Sequence, residues 1–80
     1  MKTFRLTITK IGENLFDGEA VSVTLPGAEG QFTVLAHHEP LVSELKKGEV
    51  KVKDPEGQTR FFSVEGGVAE ISKNQTTVLL

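Results

Sequence analysis

Glycine and proline interrupt this chain so often that no long helix fits in it. They fall at positions 12, 18, 26, 27, 30, 40, 48, 55, 57, 66 and 67 of 80. The longest stretch free of both runs from Val68 to Leu80. That stretch contains Asn74-Gln75-Thr76-Thr77, which is poor helix material: short polar side chains compete for backbone hydrogen bonds and β-branched ones lose rotamers. Only Leu41–Lys47 leaves room for a short helical turn.

Between the interruptions, apolar and polar residues alternate with a period of two. Phe4, Leu6 and Ile8 alternate with Arg5, Thr7 and Thr9. Val21, Val23 and Leu25 alternate with Ser22 and Thr24, and Phe32 and Val34 with Gln31 and Thr33. Val50 and Val52 alternate with Glu49, Lys51 and Lys53. Further runs lie at Thr59–Val64, Val68–Ser72 and Thr76–Leu80. Such runs have one greasy and one polar face, which suits antiparallel sheets with one side on a core. Asp54-Pro55-Glu56-Gly57 predicts a type I turn and a hairpin, because Pro presets φ at the second turn position. Asp17-Gly18, Pro26-Gly27 and Lys73-Asn74-Gln75 are further predicted turns. Many short strands at this spacing predict an all-β sandwich or small barrel. In the run 59–64, Phe62 shares a phase with Val64 and is predicted inside, and Phe61 outside. Leu41, Val42 and Leu45 read as core residues or as partner contacts. Lys51 and Lys53 read as the solvated side of a strand, of the kind that discourages stray edge pairing.

Val, Ile, Leu and Phe account for 25 of the 80 residues, enough for a packed core. Surface scaling predicts about 4,700 Å² exposed when folded, so roughly 60% of the unfolded surface is buried. The whole chain, residues 1–80, reads as one domain. With Cys 0 there is no disulfide framework, thiol nucleophile or cysteine-based metal site. A net charge of −2 argues against general nucleic-acid affinity. No apolar run approaches a membrane span, and residues 1–7 lack the apolar core of a signal peptide.

Candidates for chemistry are few. His37-His38-Glu39 is the one cluster of potential metal ligands, and neighbouring residues on a strand point to opposite faces. A metal site needs three or four convergent ligands, so these residues read as a polar loop before Pro40. No serine sits in a Gly-x-Ser-x-Gly context. Gly27-Ala28-Glu29-Gly30 shares only its glycines with a phosphate loop. Gly66-Gly67 reads as a bend or a close approach in a strand. No catalytic, cofactor or metal site is expected.

The ordered segments resemble the N-terminal β-sandwich domain of the epsilon subunit of F-type ATP synthases. The family pattern of Gly-x-Glu-Gly-x-hydrophobic followed by His-x-Pro-Leu is matched by Gly27, Glu29, Gly30, Phe32, His38, Pro40 and Leu41. Leu15–Glu19, Val64–Ile71 and Thr76–Leu79 resemble its flanking blocks, so the likeness spans essentially the whole chain. Two positions depart from the pattern. Gln31 stands where the family often has an acidic residue, and Ala36-His37 where it usually has Pro-Gly.

The resemblance implies a two-sheet antiparallel β-sandwich of about ten short strands. It implies a structural, non-catalytic subunit of the central rotor stalk of a proton- or sodium-translocating enzyme. The domain would join the gamma subunit to the ring of c subunits, transmit torque, and hold no cofactor. Its place would be peripheral, on the cytoplasmic face of the inner or plasma membrane, with membrane association only through the complex. The loop Gly27, Ala28, Glu29, Gly30 and Gln31 would meet the c-ring. Lys10, His38, Leu41 and Val42 would meet gamma. The family's C-terminal helical hairpin is not in this sequence, so neither self-inhibition nor a nucleotide site is expected of it. Two other readings remain open on the residues: a stand-alone β-sandwich binding module with an unrelated partner, and a small metal-dependent enzyme built on His37, His38 and Glu39.

Overall fold

Each alternating run becomes a strand. The computed structural model describes residues 2–80. Among them lie nine strands and no helix: β1 (Phe4–Lys10), β2 (Glu13–Ala20), β3 (Ser22–Gly27), β4 (Gly30–Leu35), β5 (Leu41–Leu45), β6 (Gly48–Lys53), β7 (Thr59–Val64), β8 (Gly67–Ile71) and β9 (Gln75–Leu79). One layer has the order β2-β1-β9-β8-β5, and the other β4-β3-β6-β7. The layers meet at one corner, where Gly27 of β3 pairs with Leu45 of β5. The result is a curled sandwich, close to a half-barrel, as the all-β reading required.

Alternate residues from both layers fill the space between them. Phe4, Leu6 and Ile8 of β1 lie over Val23 and Leu25 of β3 and over Val50 and Val52 of β6 in a single core cluster. Ala69, Ile71 and Val78 complete it from β8 and β9. The folded chain exposes 4931 Å², close to the about 4,700 Å² that its mass predicts. Phe62 is half-buried against this core and Phe61 is 58% exposed, as their phases require.

The nine strands are in line with the about ten expected. Three expectations need correction. Leu41–Leu45 forms a strand paired with β8, not a helical turn, because its backbone completes the first layer. Asp17-Gly18 forms no turn: Asp17 sits opposite Thr7, and Gly18 opposite Leu6, inside the β1–β2 ladder. Asp17 Oδ1 accepts hydrogen bonds from Arg5 Nε at 3.0 Å and from its terminal nitrogen at 2.6 Å, so a turn-type residue becomes half of a cross-strand ion pair. The sheets are also not wholly antiparallel, since β1 and β9 run parallel. A parallel pair needs a crossover between its strands, and here the whole chain between Lys10 and Gln75 provides it.

The Asp54–Gly57 turn forms as predicted. Gly57 donates its N–H to the Asp54 carbonyl at 3.0 Å, and Asp54 donates its own to Gln58. The Asp54 carboxylate, only 8% exposed, accepts from the N–H groups of Glu56 at 3.0 Å and Gln58 at 2.9 Å. Removing that acceptor leaves two turn amides unsatisfied. Asp54→Ala is expected to cost about 1–2 kcal/mol in a urea melt, and Asp54→Asn, which keeps one acceptor oxygen, less.

The β4–β5 connection holds a second special position. His37 has φ 64°, the one positive φ on a non-glycine residue among those described. A side chain there costs about 1 kcal/mol relative to glycine. His37→Gly is expected to raise stability by up to about 1 kcal/mol, with part of the gain returned to the looser unfolded chain. A thermal melt of the variant that falls well below the parent removes this account of the loop.

Candidate docking surfaces

The hairpin joining β3 to β4 is built around glycine. Leu25 pairs with Phe32, Pro26 with Gln31, and Gly27 with Gly30, leaving Ala28-Glu29 as a two-residue tip. A Cβ on Gly27 would lie 2.6 Å from the Gly30 carbonyl and 2.9 Å from the Phe32 ring, so the strands close this tightly only on a glycine. Gly27 is buried, and Ala28, Glu29, Gly30 and Gln31 are exposed. Ala28 donates its N–H to the Glu44 carbonyl at 2.8 Å, which ties the tip to β5. A shallow depression therefore lies between residues 27–32 of the hairpin and Leu41–Glu44.

That depression brings together two sets that the sequence separated, the hairpin loop and the pair Leu41 and Val42. Both leucine and valine are exposed, at 42% and 69%, whereas Leu45 goes into the core. His38 sits three residues before Leu41, half-buried, with Nδ1 at 2.8 Å from the Glu39 carbonyl. Lys10 lies elsewhere. It ends β1, three strands from β5 in the order β1-β9-β8-β5, or about 14 Å across the sheet. Pairing register puts Lys10 at the Leu45 end of that layer and His38 at the Leu41 end.

What lies between them is an apolar diagonal that the sequence reading did not single out. Val42, Val68 and Leu79 all point outward from the first layer. Val42 pairs with Glu70, while Val68 pairs with both Glu44 and Leu79. Leu79 is 44% exposed, and Ile11, in the adjoining β1–β2 turn, is 97% exposed. Val68 and Leu79 could have been found from phase alone, since Val68 alternates with Ala69 and shares its face with Glu70. Ile11 carries no such signal, because a turn has no period.

The other concave regions do not assemble chemistry. The largest lies between β2 and the β6–β7 turn, lined by Phe16, Asp17, Glu19, Asp54, Glu56 and Arg60 among others. Its carboxylates are already engaged where they matter: Asp54 by turn amides and Asp17 by Arg5. Arg60 stacks over Phe16 at 5.8 Å, and Phe16 meets Phe62 edge-on at 6.4 Å, so the region is a packed seam. Among the described residues, no three histidine, aspartate or glutamate side chains converge as a metal site requires. His37 and His38 are separated by the positive φ at His37, which turns the chain between them.

Comparison with known proteins agrees with this geometry. The family model described as ATP synthase, Delta/Epsilon chain, beta-sandwich domain, matches residues 3–80. An ATP synthase epsilon chain from Alkalilimnicola ehrlichii is 37% identical over 79 residues, covering 99% of this chain and 56% of that protein. One from Delftia acidovorans is 35% identical, with 99% and 57% covered. This chain thus spans somewhat more than half the length of these relatives. A chain in the cryo-EM structure of the Euglena gracilis mitochondrial ATP synthase, OSCP/F1/c-ring, superposes with TM-score 0.91 at 25% identity, over 96% of this chain and 49% of that one. A chain of the Tetrahymena thermophila mitochondrial ATP synthase central stalk and c-ring shares the fold at TM-score 0.77 and 12% identity, over 98% and 63%.

Proposed function

The chain belongs to the delta/epsilon-chain β-sandwich family of ATP synthases, and from that premise we propose that it acts as a structural part of the central rotor stalk, joining a gamma subunit to a c-ring. In this role it is a non-catalytic part of an enzyme complex. It sits peripherally at the cytoplasmic face of the membrane and is held there by its neighbours. The observation that carries the proposal is the outward-facing apolar diagonal of exposed Val42, half-buried Val68, and exposed Leu79 and Ile11, on a domain with no assembled active site among its described residues. Scattered apolar residues on a surface mean little, but a contiguous row marks a docking face.

Gamma seats on the outer face of the first layer through Val42, with Leu41 and His38 along the edge at that end and Lys10 at the other. Glu44 and Glu70 flank the row and supply a polar rim of the kind stable interfaces have. The c-ring meets the exposed hairpin tip, where Glu29 offers a carboxylate to a cationic loop and Gly30 lets the backbone come close. With Gln31 in place of an acidic residue, the tip brings one negative charge fewer to that contact. The two contacts share a boundary, since Ala28 is hydrogen-bonded to the strand that carries Val42. Force on the tip thereby passes to the gamma-facing strand through backbone hydrogen bonds.

The test is a methyl-NMR titration of the labelled domain with the cognate gamma subunit. Shifts are expected at Val42, Val68, Leu79 and Ile11, with Val23, Leu25 and Val52 in the core little changed. Absence of a complex at micromolar concentrations, or shifts confined to the other layer, overturns the assignment.

A further inference from the structure

The opposite face of the sandwich has a different character. On the outside of the second layer, Lys51 pairs laterally with Phe61 on one side and Thr24 on the other. Lys53 lies two residues along, beside Ser22 and Thr59. Lys46 and Lys47, in the connection between β5 and β6, close the end of the same shallow depression, which Thr24, Pro26, Gln31, Glu49 and Phe61 also line. All four lysines are exposed. Against them the depression holds one carboxylate, that of Glu49.

This concentration is unusual in a chain of net charge −2. The outer side of the first layer carries Asp17, Glu19, Glu44 and Glu70, with Arg5 as counterweight. Charge is therefore segregated, with acid on one face and base on the other. Nor do Lys51 and Lys53 guard an edge, as the sequence suggested: β6 lies between β3 and β7 and is paired on both sides. Edge protection is needed at β2, β4 and β7, where these lysines are not.

We propose that the Lys46–Lys47–Lys51–Lys53 face, with Phe61 at its centre, docks an acidic segment of a partner protein. The argument is charge complementarity around an apolar anchor. Phe61 is 58% exposed and offers its ring to an aliphatic or aromatic side chain. Lys51 and Lys53 stand about 6.6 Å apart along the strand, a spacing that carboxylates two residues apart on an extended peptide reproduce. Glu49 and the neutral floor of Thr24 and Pro26 favour discrete carboxylates over a continuous anionic plane such as a lipid surface, which would bring charge onto Glu49 as well. Lysines of this kind set attraction and orientation, so the contact is salt-sensitive. The proposal does not depend on gamma docking, because it uses the other face.

The test titrates the ¹⁵N-labelled domain with a capped peptide of sequence Glu-Leu-Glu-Glu-Leu-Glu, with its lysine-for-glutamate counterpart, and with vesicles containing phosphatidylglycerol. Expected are amide shifts confined to residues 46–53 and 59–63 with the acidic peptide, weakening severalfold between low and physiological salt. The double substitution Lys51→Glu with Lys53→Glu is expected to weaken binding by about tenfold or more, and Phe61→Ser by about fivefold. Lys73→Glu, in the β8–β9 turn of the other layer, is expected to change it less than twofold. Phe61→Ser keeps the test open if charge reversal disturbs folding. No binding at millimolar peptide, shifts spread equally over Arg5, Lys10 and Arg60, or binding to vesicles without binding to peptide each overturns the proposal.

Discussion

Gly67→Ala is expected to destabilise the domain by about 3–5 kcal/mol, the largest effect of any single methyl in the molecule. Two costs combine. Gly67 has φ 145°, a backbone conformation that a side chain strains by about 1–3 kcal/mol. A Cβ there would also overlap the Leu79 carbonyl oxygen. That oxygen belongs to the backbone of β9, next to the Val68–Leu79 pair, so it cannot swing aside as a side-chain tip would. Relief requires the β8–β9 ladder to shift at the end where β9 also pairs with β1. A domain of this size has roughly 4–12 kcal/mol of stability in all. A melting temperature lower by about 18–30 °C follows. The control is Gly12→Ala: φ is also positive, at 78°, but nothing lies within 4 Å, so only the strain of about 1 kcal/mol remains. Equal effects at the two positions show that the close approach to β9 is not what fixes Gly67.

The same glycine illustrates what was legible beforehand. Gly66-Gly67 reads from sequence as a bend or close approach, and it is both, since Gly66 also has a positive φ of 149°. Phase was a reliable guide wherever a strand has one wet side. It put Phe62 inside and Phe61 outside, and it put Lys51 and Lys53 in solvent, because a half-buried strand has only two options for each residue. It could not give strand direction. Parallel and antiparallel partners show the same alternation, so the β1–β9 pairing was invisible. Nor could local turn chemistry foresee Asp17. Asp-Gly favours a turn in isolation, but pairing with β1 and the ion pair to Arg5 hold the segment extended.

The proposed docking surfaces were legible in part, for a related reason. The hairpin tip Ala28-Glu29 follows from glycines at fixed spacing, and such spacing is local information. The apolar diagonal is not local. Val42, Val68, Leu79 and Ile11 come from four separate segments, and they form a row only because β5, β8 and β9 are neighbours in the sheet. The basic face follows the same logic. Lys46, Lys47, Lys51 and Lys53 form an obvious cluster in sequence, but Phe61 joins them through the β6–β7 register. It is this register that turns a solvated strand into a surface with an apolar centre.

Val42→Lys separates folding from docking and is the sharpest test of the gamma-facing surface. Val42 is 69% exposed in the free domain, so the fold loses little when it changes. Its lateral partner is Glu70, directly opposite on β8. A lysine there gains an opposite-charge neighbour worth a few tenths of a kcal/mol, and the melting temperature is expected to stay within about 2 °C of the parent. In the complex the same change places a charge within an apolar contact. Burying an unmatched ammonium costs several kcal/mol when it is fully desolvated, and a long side chain escapes part of that by reaching toward the rim. The net expectation is a loss of about 2–3 kcal/mol, or roughly 30- to 150-fold in Kd for gamma. Val42→Ala removes only two methyl groups and is expected to weaken binding by about fivefold. This ordering, with lysine far worse than alanine while both variants melt like the parent, belongs to a residue covered by an interface. If Val42→Lys binds gamma as tightly as the unchanged domain, gamma does not sit on β5, and the apolar diagonal needs another partner.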